Sequence, residues 1–182
     1  MTEGGDKMDI ESRLGAVNQG RVETPLEREF QVAIPADHAE LFAGVMHRKA
    51  VDKLLESTRS GYFPTDTTIT DGADPGSVVV ILGSRYAMLA RRLAVVPEVD
   101  GSGETVVKAG LTFSDVMAIG EGLRKDFVAM QMMGITMHSP AEQEGARQNI
   151  RAHLGLMDRF LAAGGPDNEM VRRHNQALLV QA

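Results

Sequence analysis

The sequence predicts an all-α fold: an irregular bundle of four long helices plus short ones, with a flexible N-terminal arm. Apolar residues recur at spacings of three and four through four long segments, cap signals of the Ser/Thr/Asp-Pro kind open several of them, and Gly- and Pro-containing stretches separate them. At 182 residues one globular domain with a real core is expected. The organisation read here is an arm over residues 1–24 and a helical domain over 25–182.

The arm is acidic, contains several glycines and has few large apolar groups, too little burial to repay its own ordering. Ile10, Leu14 and Val17 nevertheless fall at i, i+4, i+7, one face of a short helix if a surface is supplied. Thr24-Pro25-Leu26-Glu27 has the form of a capping box and predicts a short helix ending before Pro35. Ala36 to Arg59 reads as a long helix with Phe42, Val45, Met46, Val51, Leu54 and Leu55 on one side and Gly61 beyond its end. Residues 61–76 have loop composition, and Asp74 before Pro75 resembles a cap followed by the first helical position. Val78 to Leu82 alone would suit a buried strand, but Val78, Leu82, Tyr86, Leu89, Leu93 and Val96 form a stripe that outruns one, which predicts a helix.

Pro97 and the Asp100-Gly101-Ser102-Gly103 turn end that helix, and Thr105-Val106-Val107 forms a small strand or none. Ser114 is read as the cap of the next helix, carrying Val116, Ile119, Leu123, Phe127 and Met130 inward and closing near Gly134. Ser139-Pro140-Ala141-Glu142 is a second capping box, opening a helix through Ala163 with Ile150, Leu154, Met157 and Leu161 on its buried stripe. Gly164-Gly165-Pro166 stops it, and Asp167 is placed as the cap of a last helix bearing Met170, His174, Leu178 and Leu179.

Composition narrows the chemistry. The net charge of −6 works against nonspecific attraction to nucleic acid or an anionic membrane, and aromatics at 4% with no Trp supply no stacking platform. Zero cysteines exclude disulfides, thiolate metal sites and a cysteine nucleophile. The first twenty residues lack a cationic stretch followed by an apolar run, and no apolar stretch approaches the roughly 18 residues of a membrane span, so an intracellular protein is expected. No two of His38, His47, His138, His153 and His174 have the helical spacing for a shared metal. The Gly101-Ser102-Gly103 and Gly164-Gly165 stretches fit neither phosphate-loop nor dinucleotide patterns, and Gly83-Ser84 reads as a small pair inside a helix. No catalytic, cofactor or metal residue is assigned.

Methionine is the unusual count at eleven, and the run from Met130 to His138 concentrates four. Met132 and Met133 cannot both face the core that Leu123, Phe127 and Met130 define, so Met132, Met133 and Met137 join Ile10, Leu14 and Val17 as candidate interface residues. These features predict a non-enzymatic structural or adaptor protein, associating with itself and with other assembly proteins, of a virion or secretion type. The alternative is a ligand-binding or enzymatic helical domain taking an anionic small molecule between the helix of Arg85 and Arg91 and the loop from Thr65 to Asp74. The charged pairs Arg91-Arg92 and Arg172-Arg173 are expected to solvate the surface or pair with carboxylates.

Overall fold

Where apolar residues step by three and four the computed structural model is helical, and where they alternate it forms a small sheet. It describes residues 27–59, 75–132 and 139–180. Among these the order is β1 (Phe30–Pro35), α1 (Ala36–Arg59), α2 (Pro75–Leu93), β2 (Glu98–Val99), β3 (Thr105–Leu111), α3 (Phe113–Met132), α4 (Pro140–Ala162) and α5 (Glu169–Val180). The fold is mostly helical, and α2 is a helix from Pro75 onward, as its long stripe requires.

The helix expected before Pro35 is corrected to a strand. Val32 and Ile34 are buried while Gln31 is exposed, a period of two that suits a pleated surface. The partner is β3, far along the chain, and this long-range pairing outweighs the local capping pattern, of which Thr24 to Leu26 lie outside the described residues. Strand order is β1-β3-β2 with both pairs antiparallel; Phe30 stands opposite Leu111 and Ile34 opposite Val107. The strand at Thr105 is therefore the central one, running to Leu111. Two arginines take up carbonyls of this sheet: Arg159 of α4 donates to Ala33 at 3.1 Å and Arg92 of α2 to Gly110 at 2.8 Å.

Val32, Ile34, Val107, Ala109 and Leu111 face a core completed by Phe42 and Met46 of α1, Leu89 and Leu93 of α2, Ile119, Leu123 and Phe127 of α3, and Ile150, Leu156 and Phe160 of α4. The long stripe of α1 is buried only in its first half; Val51, Leu54 and Leu55 are exposed. On α4 the inward side is turned from the expected one. Ile150 and Met157 are buried as read, but His153, Leu156 and Phe160 join them, Leu154 is half-buried and Leu161 exposed.

Helix starts follow local hydrogen bonding. Thr112, not Ser114, caps α3: its hydroxyl accepts from the Asp115 amide at 3.2 Å and the Asp115 carboxylate accepts from the Thr112 amide at 3.0 Å. Asn168, not Asp167, caps α5 by accepting from the Val171 amide at 3.1 Å, while Asp167 pairs with Arg172. Ser139 caps α4 as read, with Glu142 closing the reciprocal box. Gly164, in the left-handed region at φ +91°, ends that helix.

α3 meets α4 at Gly120, which lies so near the His153 imidazole that a Cβ there would overlap the ring. Gly120→Ala should lower the unfolding free energy by about 1–3 kcal/mol through overpacking, read as a reduced denaturant midpoint. Ser139→Ala should cost about 0.5–2 kcal/mol by the same assay, and an unchanged midpoint would mean that the box does not hold the start of α4.

Candidate functional site

Of the residues expected at an interface, Met132 is described, and it stands 83% exposed at the end of α3, while Met130 packs partly against the core. Ile10, Leu14, Val17, Met133 and Met137 lie outside the described residues, as does the loop from Thr65 to Asp74. A second apolar surface lies where periodicity predicts core positions. Val51 and Leu55, one turn apart on α1, are 40% and 48% exposed. Ala50 is the last fully buried residue described on α1, and beyond it Leu54 packs on Gly83 of α2. Gly83 is thus a packing residue inside a helix.

Between α2, α3 and α5 lies an open groove of about 540 Å³. Leu82, Phe113, Met117 and Val171 give it apolar walls, and Arg85, Glu121 and Arg124 bring charge to it. Arg85 is among its lining residues and Arg91 is not, and the walls facing α2 are α3 and α5. Arg85 Nη2 is 3.6 Å from the Asp115 carboxylate, which Arg92 holds more closely at 3.2 Å. Glu121 is bound to Lys49 at 2.8 Å, and this ammonium holds its carboxyl below the usual range. Lys49 also donates to the Ala118 carbonyl at 3.2 Å and sits 4.9 Å from the centre of the Tyr86 ring.

Arg124, the side chain that sequence reasoning missed, is anchored from below. Its Nη1 donates to Asn175 Oδ1 at 3.2 Å, the Asn175 amide nitrogen lies 2.8 Å from His153 Nδ1, and His153 Nε2 lies 3.0 Å from the Val116 carbonyl. A carbonyl can only accept, so Nε2 carries the proton; Nδ1 then accepts from the Asn175 amide. This chain ties α3, α4 and α5 together around a neutral imidazole. The available signal was polar Asn175 on the apolar stripe Val171, Asn175, Leu178.

The remaining candidates settle into the scaffold. Arg172 pairs with Asp158 and Asp167, and Arg173 with Glu169, as expected of charged pairs in an acidic chain. Gly101 to Gly103 form the turn between β2 and β3, where the exposed Asp100 carboxylate accepts from Ser102 and Glu104, and these bonds lower its pKa. Among the described residues no three His, Asp or Glu side chains group to hold a metal ion, and no helix is long and apolar enough to cross a membrane. No protein-family model, no curated protein and no solved structure matches this chain.

Burial holds the His153 imidazole at about 4, down from 6.5, with the nearby Arg124 and Arg172 charges acting in the same direction. The folded pKa lies below the unfolded one, so the unfolded chain takes up a proton between pH 6.5 and 4 that the folded chain does not. Stability from this group is complete above pH 6.5 and falls as pH drops toward 4, by up to about 3 kcal/mol. Urea unfolding from pH 7.5 to 5 should show this loss in the wild type, and His153→Gln should flatten that part of the profile.

Proposed function

We propose that this chain is a non-catalytic structural or adaptor protein that self-associates into a larger assembly, of a virion or secretion type, inside the cell that makes it. The observation that carries the reading is the outer face of α1, where Val51 and Leu55 continue a core stripe into solvent. Exposed Met132 at the end of α3 adds a flexible apolar contact, and the i, i+4, i+7 spacing of Ile10, Leu14 and Val17 in the sequence would offer one small apolar face if a partner surface supports a helix there.

Magnitudes favour several weak contacts acting together. Fully burying an aliphatic side chain gains about 1.5–3 kcal/mol, and half-exposed ones gain a fraction of that. Association costs about 4–15 kcal/mol in lost translational and rotational freedom, so no single one of these patches sustains a dimer. An assembly in which arm, helix face and methionine end are engaged at once meets the cost. The buried polar side chains support the same reading, since Asp115, His153 and Asn175 all tie elements of the scaffold to one another.

Light scattering coupled to size exclusion tests this directly. The full chain should run above monomer mass and shift further with concentration. Deleting residues 1–20, or combining Val51→Asp with Leu55→Asp, should move the mass toward monomer while leaving the thermal midpoint of the folded chain nearly intact. A full chain that stays monomeric at its highest soluble concentration overturns the proposal.

A further inference from the structure

We propose that the groove between α2, α3 and α5 binds a small organic acid, a carboxylate carried on an apolar body. The first argument is charge. Arg85 and Arg124 enter the groove from different helices, and their carboxylate company is thin. Asp115 is already held by Arg92 and by the Thr112 amide, and Arg85 meets it only at 3.6 Å. Arg124 forms no ion pair among the described residues. Glu121, the carboxylate among the lining residues, is neutralised by Lys49. A cationic groove thus persists on a chain of net charge −6.

The second argument is geometry. A guanidinium offers five donors in a planar fork that fits a carboxylate through two parallel hydrogen bonds. Arg124 spends a bond on Asn175, which fixes its position through His153, and has donors left for a ligand. That anchoring reduces the ordering cost of binding. Phosphate would suit the same fork, but Phe113, Met117 and Val171 supply apolar wall that an inorganic ion leaves unused. A volume of about 540 Å³ falls in the range of small-molecule sites. The site is independent of the self-association above, because Val51, Leu55 and Met132 are not among its lining residues.

Octanoate is the probe, titrated into the full chain with the Met117 methyl followed by NMR, and with 1-octanol and inorganic phosphate as controls. Saturable shifts with octanoate, and binding about tenfold or more weaker for either control, are expected. Arg85→Gln, checked for an unchanged thermal midpoint, should weaken octanoate by about tenfold. Arg124→Lys, which keeps the charge and loses the fork, should also weaken it. Absence of a saturable shift overturns the proposal, as does octanol or phosphate binding equal to octanoate. Wild-type affinity in both variants overturns it equally.

Discussion

One guanidinium, that of Arg92, joins four parts of the molecule. From α2 it donates to Glu29 ahead of β1 and to the Gly110 carbonyl of β3, both at 2.8 Å, and to Asp115 in the first turn of α3 at 3.2 Å. Asp115 is buried, and the start of a helix, with its unpaired amides, is where a carboxylate is best tolerated. Without Arg92 that buried carboxylate would keep only the Thr112 amide and a long contact to Arg85. The side chain holds its place although its Nε is buried with no partner among the described residues, a loss of about 1–3 kcal/mol. The direction of α3, and with it the groove and the His153 joint, depends on this contact.

What was legible in the chain was what short-range physics decides. Ser139 and Glu142 cap each other within four residues, and the α4 start follows; Ala36 to Arg59 and the stripe that begins at Val78 form helices because their spacing allows little else, although α2 ends at Leu93, short of the stripe's last member Val96, which is exposed. The strand at Phe30 was illegible for the opposite reason. Its stabilisation comes from Val107, Ala109 and Leu111, and no window around residue 30 contains them. The caps of α3 and α5 were missed by two residues and one residue, since Thr112 and Ser114, or Asn168 and Asp167, are chemically equivalent until backbone geometry selects one. Arg85 was singled out by charge, but Arg124 acquires its meaning from Asn175, on a helix fifty-one positions later.

The molecule separates two uses of polarity. Inside, Asp115, His153 and Asn175 have their hydrogen bonds met by neighbouring elements, which makes them rigid and chemically quiet. Outside, the groove and the outer face of α1 carry chemistry that the described chain does not consume, guanidinium donors in one case and aliphatic surface in the other. A neutral His153 also keeps a positive charge away from Arg124, so the joint that positions the arginine does not compete with it for an anion.

The placement of β3 between two strands of unequal length has a consequence for synthesis. β1 emerges from the ribosome first and then waits while α1 and α2, which pack extensively on each other, are made. Closing a loop that encloses a preformed helix pair costs less chain entropy than closing an unstructured one of the same length. Until Leu111 is available, Val32 and Ile34 present a short apolar strand with no partner in the sheet, the kind of edge that pairs with other chains. The order of birth therefore makes early pairing of the two helices, which shortens the loop to be closed, a safeguard against aggregation, and places the vulnerable interval between the emergence of β1 and the completion of β3.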